Sequence, residues 1–292
     1  MIHIILTCTS QKTLSTPNDL KFRNMVGLTQ EDLFKKWVSA IESYPIKIPA
    51  IQLYGKTLQD FYETIDRTKI HLWIASAGMG LISPDTLIPP YDITFNYRWE
   101  DGVRRGFDPK LAEQNWWGLL CGYRGLSITD LAQQNSNDTF IFTTSESYYP
   151  ALINDICAAS NECIHSLFLS RWLGGGKFNG LLMPSDKRIV ALIDSTEYNM
   201  ASKYALFCIE QHFGGLDWID IKRLVEQHLD TIPLIPRVKK PREKIEDIKV
   251  IEYINNNLTK SVAQITNLIR DDGYSCGSDR FNKIARQIGF KS

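Results

Sequence analysis

Two carboxylates, Asp85 and Asp92, flank a Pro89-Pro90 corner in the stretch 76–95. A fixed carboxylate can stabilise a developing sugar cation and orient water, so the pair suits a reaction through an oxocarbenium-like state. Tyr91 adjoins Asp92. Ser76, Gly78 and Gly80 precede them, and the glycines permit close backbone approach or a positive φ. Two further segments have matching chemistry. Thr7-Cys8-Thr9-Ser10-Gln11-Lys12 offers hydroxyls and an ammonium without a carboxylate, a composition that holds phosphate or makes an ordinary turn. Thr143-Thr144-Ser145-Glu146-Ser147-Tyr148-Tyr149 is rich in hydroxyls and holds one acid. Its ordinary alternative is a helix cap by Ser145 or Ser147, with Glu146 in the first turn.

Other chemistries find little support. Gly174-Gly175-Gly176-Lys177 is followed by Phe178, and the earlier glycine of a phosphate-binding loop falls on Arg171. No serine-nucleophile elbow or His-Glu-x-x-His sequence occurs. The six cysteines form no C-x-x-C pair and read as free thiols, so neither a metal nor a cofactor is expected. Trp116-Trp117 and Asn96-Tyr97-Arg98-Trp99 offer stacking and cationic groups, although adjacent tryptophans on one helix face different ways.

These segments need a scaffold. The chain has 292 residues, 43% of them hydrophobic, enough for a sizeable core. No apolar run reaches membrane-spanning length, and the apolar start lacks a basic leader, so a cytoplasmic protein without membrane contact is expected. Strands are predicted at residues 1–6, 48–53, 71–75, 139–143 and 188–193. Helical spacing marks 31–43, 149–159 and 201–212. Alternation of the two types predicts an α/β body, 1–232, with a mainly parallel sheet flanked by helices. Ligands of such sheets bind where strands end and loops begin.

A basic, proline-rich linker is predicted at 233–244, followed by a small all-α, helix-turn-helix-like domain at 245–292. Its first helix is placed at 245–256. The second follows a Ser261 cap and turns Val262, Ile265, Leu268 and Ile269 inward. The third follows Ser278, with Phe281, Ile284, Ala285 and Ile288 on one face. Its other face carries Arg280, Asn282, Lys283, Arg286 and Gln287, types that reach phosphates and base edges. Net charge is zero overall, yet residues 237–292 hold 12 basic and 7 acidic residues. With Lys239 and Lys240 in the linker, this predicts double-stranded DNA as a partner. A plain helical cap or dimerisation unit is the alternative.

The motifs "MIHIILTCTSQKTL" (1–14), "QLYGKTLQDFY" (52–62), "IASAGMGLISPDTLIPPYDITF" (74–95) and "FTTSESYYPAL" (142–152) resemble, in order, those of the YaaA-like family and its relatives. The resemblance covers roughly residues 1–213. Its third pattern falls on Ser76, Gly80, Leu81, Pro84, Ile88, Pro90 and Tyr91. The fourth departs slightly, giving Ser-Glu-x-Tyr over residues 145–148. The family's Lys-Lys-x-Arg-Gly motif is absent, and residues 196–203 occupy its place. The resemblance implies a DNA-binding protein of the peroxide-stress response. It equally implies an anti-phage DNA glycosylase that excises glucosylated hydroxymethylcytosine. On the glycosylase reading the α/β body is the catalyst and the tail anchors duplex DNA, with the target nucleotide flipped into the pocket. Asp92 is then the first candidate for catalysis, with Asp85 and Glu146 as alternates. Tyr54, Tyr91 and Tyr148 stack on or hydrogen-bond the base. Lys12, Lys56 and Arg98 hold phosphate or sugar hydroxyls. Thr7, Ser10, Gly55, Ser76, Gly78, Gly80 and Ser145 complete the expected substrate-binding set. The competing classes are a non-catalytic DNA-binding stress protein and an enzyme of modified-nucleoside metabolism acting on RNA.

Overall fold

The computed structural model describes residues 1–9, 11–27, 29–96, 98–104, 111–170, 178–196, 200–233, 243–258, 260 and 262–290. The chain divides into two compact units, Met1–Pro233 and Leu234–Ser292.

The strands of the first unit are β1 (Ile2–Thr7), β2 (Ile48–Pro49), β3 (Ile70–Ser76), β4 (Gly80–Ile82), β5 (Leu87–Ile88), β6 (Thr139–Thr143), β7 (His165–Phe168) and β8 (Leu181–Leu182). Six of them form one sheet in the order β4-β3-β1-β6-β7-β8. Only the β3–β4 pair is antiparallel; the others are parallel. β2 and β5 pair separately. Ile2 to Leu6 of β1 and all of β6 are buried. These runs lack polar alternation because helices cover both faces of a parallel sheet. Register sets Leu6 beside both Ile74 and Thr143.

The accompanying helices are α1 (Gln30–Ser43), α2 (Ala50–Leu53), α3 (Lys56–Thr64), α4 (Ala112–Arg124), α5 (Ile128–Gln134), α6 (Tyr149–Ala159), α7 (Ile189–Leu192), α8 (Met200–Phe213) and α9 (Trp218–Thr231). Their ends follow local chemistry. Thr29 caps α1, Ser127 and Asp130 form a reciprocal capping box on α5, and Asp217 caps α9. α4 stops at Gly125, whose φ of 66° lets its amide and that of Leu126 return to the Cys121 carbonyl.

Two predicted strands are corrected. Residues 48–53 begin as β2, but Pro49 lacks an amide donor and the chain closes a helical turn, with Tyr54 N donating to the Ala50 carbonyl at 3.0 Å. Residues 188–193 form the single turn α7, in which only Ile189 is buried. The apolar types alone do not distinguish a buried strand from a helical turn. The body was therefore read correctly as α/β and mainly parallel, though from an incomplete strand set.

The second unit contains β9 (Glu243–Lys244), α10 (Asp247–Asn255), α11 (Val262–Asp271), β10 (Tyr274–Ser275) and α12 (Ser278–Gln287). Ile245, Val250, Ile254, Ile265, Ile269, Phe281, Ile284 and Ala285 form its own core. β9 and β10 pair in parallel, which explains why the α11–α12 connection is longer than a minimal turn. Ile288, expected on the apolar face, is the residue that ends α12 as its C-cap and is 37% exposed. No helix among the described residues is long and apolar enough to cross a membrane.

Candidate active site

A cavity of about 600 Å³ opens at the carboxyl ends of β1, β6 and β7. The chain leaves β1 toward β3 on one side and leaves β6 toward β7 on the other. Their loops therefore diverge and leave a crevice, the usual ligand position in an open parallel sheet. Thr7, Cys8, Thr9 and Lys12 line it from the β1 loop, and residues 143–148 from the β6 loop. Asp92, Ile93, Thr94, Asn96, Trp99 and Asp101 form a third side.

Asp92 and Lys12 meet in this cavity. Asp92 Oδ1 lies 3.6 Å from Lys12 Nζ, with the side chains 33% and 8% exposed. The separation marks an ion pair longer than a hydrogen bond, so the Asp92 oxygens are not committed to the ammonium. Backbone bonds fix the carboxylate's strand: Asp92 N donates to the Leu20 carbonyl and Phe22 N to the Asp92 carbonyl, at 2.9 and 2.8 Å. Lys12 is held by a bridge to Tyr54, and its ammonium rests 4.7 Å from the centre of the Tyr91 ring. An aromatic face and a carboxylate thus share one cation.

Beneath this pair runs a buried polar cluster. The Tyr54 and Tyr91 hydroxyls are 2.5 Å apart, and Tyr91 also bonds to the Ser76 hydroxyl. Ser76 Oγ accepts from Gly78 N and Met79 N. The Cys8 thiol and Tyr148 hydroxyl are 2.9 Å apart. Burial pushes the Tyr54, Tyr91 and Tyr148 phenols well above their ordinary range, so all three stay neutral.

The mouth is built from charges whose loops are remote in sequence. Arg23 pairs with Glu100 at 2.6 Å and with buried Asp101, and its amide donates to Asp101 Oδ1 at 2.9 Å. The bond to Asp101 raises the Arg23 pKa. This clamp holds the turn that presents Trp99, which lines the cavity while 60% exposed. Across the mouth, Arg188 donates to Asp186 and holds that carboxyl below the usual range. Arg188 also donates to the Leu229 carbonyl at the end of α9.

Of the expected residues, Thr7, Lys12, Asp92, Ser145, Glu146 and Tyr148 line the cavity. Glu146 is exposed, and neither Ser145 nor Ser147 caps α6, whose N-cap is Tyr148 without a side-chain capping bond. Asp85 does not join them; it is exposed in the turn between β4 and β5. Tyr54 and Tyr91 are fully buried and lie outside the lining, so they support the floor rather than stack on a base. Ser76 serves the same buried network. Gly78 lets Tyr91, Ile93 and Trp37 pack within 2.9 Å of where a Cβ would stand, and Gly80 supplies the hairpin's φ of +75°. Gly55 packs against Gln11 at the start of α3, and exposed Lys56 pairs with Asp60 at 2.7 Å. Arg98 sits in the exposed turn beside Trp99, its amide bonded to Asn96. Both tryptophans of the 116–117 pair are buried, donating to Ala77 and Asp155 respectively.

On α12, Lys283, Arg286 and Gln287 are exposed and Asn282 is partly buried. Arg280 is committed within the unit, its Nε donating to Asp247 at 2.7 Å. Ser10, Tyr97, residues 174–177, Lys239, Lys240 and Ser261 lie outside the described residues. The sequence reading missed Arg23, Asp101 and Asp186 as site residues. Asp186-x-Arg188 offered a local signal, a possible turn-forming acid–base pair, whereas Arg23 and Asp101 are joined only by the fold. The described residues hold no His, Cys, Asp and Glu cluster suited to a metal. Comparison with protein-family models, curated proteins and solved structures gave no match for the chain.

Proposed function

We propose that this protein is a DNA glycosylase that hydrolyses the N-glycosidic bond of a modified cytosine, glucosylated hydroxymethylcytosine, in phage DNA. The observation that carries the reading is the Asp92 carboxylate, held beside Lys12 in a hydroxyl-lined cavity of about 600 Å³. That volume suits a small organic ligand, and a nucleotide turned out of the duplex has to be enclosed in this way. As the bond between the base and C1′ lengthens, positive charge develops on the sugar and Asp92 stabilises it. The base departs with the bonding electron pair and takes a proton from solvent; water then adds to C1′ and passes a proton to Asp92, which returns it to solvent. Backbone bonds to Leu20 and Phe22 keep Asp92 in place, and Lys12 supplies the adjacent positive charge. The modified base is carried by the resemblance to anti-phage glycosylases, and the hydroxyl-rich wall from Thr143 to Ser147 is chemically suited to it.

The test is to incubate the protein with duplexes holding glucosylated, hydroxymethylated or plain cytosine, and to measure free base and alkali-labile breaks. Release from the modified duplex with little from plain cytosine is expected. Equal release from all three removes the modified-base specificity. No release from any duplex rejects the glycosylase reading and leaves a non-catalytic DNA-binding role.

A further inference from the structure

Lys12 differs from the other lysines near the cavity. Its side chain is 8% exposed and lines the wall, with Nζ 3.6 Å from Asp92 Oδ1. Lys187, also in the wall, is exposed, and exposed Lys56 pairs with Asp60. The backbone around Lys12 is fixed on both sides: Gly55 N donates to the Gln11 carbonyl at 3.0 Å, and Thr13 N to the Leu53 carbonyl at 2.9 Å. The Tyr91 ring centre lies 4.7 Å from its ammonium. The cavity therefore holds a positioned primary amine beside the carboxylate that, on the glycosylase reading, faces C1′. A carboxylate in contact with C1′ places the Lys12 nitrogen a few ångströms from the same carbon. Hydrolysis leaves an abasic sugar there, whose ring-opened form is an aldehyde, and lysine is the side chain that condenses with carbonyls.

We propose that Lys12 gives the protein a second activity, cleavage of the DNA strand at the abasic site through a Schiff base; the source of that site rests on the glycosylase reading. The Lys12 ammonium passes one proton to Asp92, and the freed electron pair forms the N–C1′ bond. A small movement of either side chain brings the 3.6 Å pair to hydrogen-bond length for this transfer. The carbonyl oxygen takes a second proton from the nitrogen, then the first one from Asp92, and leaves as water. The resulting iminium draws electrons from C2′. Asp92, again a carboxylate, removes a C2′ proton. The C–H pair becomes the C2′–C3′ double bond, and the 3′ phosphate leaves with the C3′–O pair. Water then hydrolyses the iminium and frees Lys12 and an unsaturated aldehyde. No net oxidation or reduction occurs.

The experiment incubates the full-length protein with a duplex carrying one preformed abasic site, with and without sodium borohydride, which reduces an imine to a stable amine. Wild type should break the strand without alkali and, with borohydride, form a covalent adduct that peptide mass mapping places on Lys12. Lys12→Arg keeps a positive charge beside Asp92 but forms no imine, so both the break and the adduct should be lost. No break or adduct with wild type, an adduct on Lys187 or any other amine, or a Lys12→Arg protein that still cleaves overturns the proposal. If Lys12→Arg does not fold, the mapped wild-type adduct decides alone. Because the abasic site is supplied, these outcomes are separate from base release. Strand cleavage by a wild type that releases no modified base upholds Lys12 and rejects the glycosylase reading; base release without cleavage does the reverse.

Discussion

On the proposed glycosylase reading, the chemistry turns on Asp92. Asp92→Asn keeps the shape and removes the charge, so base release should drop by about a thousand-fold with little change in the melting curve or DNA affinity. Turnover within a few-fold of wild type would move the chemistry to Glu146, the other expected carboxylate in the wall. Trp99 makes a separate prediction. A tryptophan 60% exposed at the mouth of a cavity is placed to stack on a base. Its replacement by alanine should weaken DNA binding by about 1–3 kcal/mol, whereas phenylalanine restores most of it. Equal binding by all three proteins would assign the ring to the surface alone. Asp186 gives the pH test. Arg188 holds its folded pKa below the unfolded value, so its stabilisation is present above the unfolded pKa, near 4, and fades as pH falls through the folded value. Asp186→Asn should therefore lose stability at neutral pH and show a shallower decline in acid, read from melting curves between pH 7 and 2. An unchanged slope would mean that solvent screens the pair. Sequence made Asp92 and Lys12 visible because loops after core strands carry ligand chemistry. Trp99 was seen only as one of a local run of polar and aromatic residues. The Arg23–Asp101 clamp that aims it closes over 78 positions of chain and leaves no local pattern.

At the scale of elements, the segment from Ser76 to Asp92 is a hairpin edge and a buttress more than a ligand loop. β4 folds back on β3, with Ser76 opposite Gly80, and carries the chain to the corner before Asp92. Gly78 is the tight point. A Cβ there would stand 2.7 Å from both Ile93 Cγ2 and Tyr91 Cε2, so Gly78→Ala should cost about 1–3 kcal/mol by overpacking. Because those two neighbours flank Asp92, base release should also fall. A variant as stable as wild type would show that the hairpin yields freely. The strands β1 and β6 were legible because burial on both faces leaves long apolar runs, and β3 because its run is apolar save for the exposed His71. β7, with His165 and Ser166 in only four residues, carries a signal too short to read. The run Ile189-Val190-Ala191-Leu192 has strand-like types, yet α8 and α9 pack beside it and one helical turn presents Ile189 to the core. Packing by distant elements thus overrode local preference there.

At the scale of the whole molecule, the distribution of charge separates two ways in which the proposed DNA partner would be held. Net charge is zero, and residues 237–292 carry 12 basic against 7 acidic groups, so the remaining chain is at −5. Within that tail, Arg237, Lys239, Lys240 and Arg242 precede the second unit's first strand, and Lys291 follows its last helix. Residues 243–290 contain seven basic and seven acidic residues and are neutral. The helical unit is therefore not itself a cationic body. Its polar face on α12 can supply a few directed contacts, while the stretch before it concentrates positive charge. Each phosphate neutralised contributes about 0.9 to the slope of log affinity against log salt. Replacing Arg237, Lys239, Lys240 and Arg242 with glutamine should thus lower that slope by about 3 to 4 and weaken binding to every duplex alike. Replacing Lys283 and Arg286 should lower it by at most about 2, and any change in sequence preference should appear only there. Titrations of labelled duplexes across a range of salt concentrations distinguish the two. If the fourfold variant binds with unchanged affinity and slope, the basic stretch does not touch phosphate. A body at −5 that still binds after removal of residues 234–292 would place the DNA contact on the first unit itself.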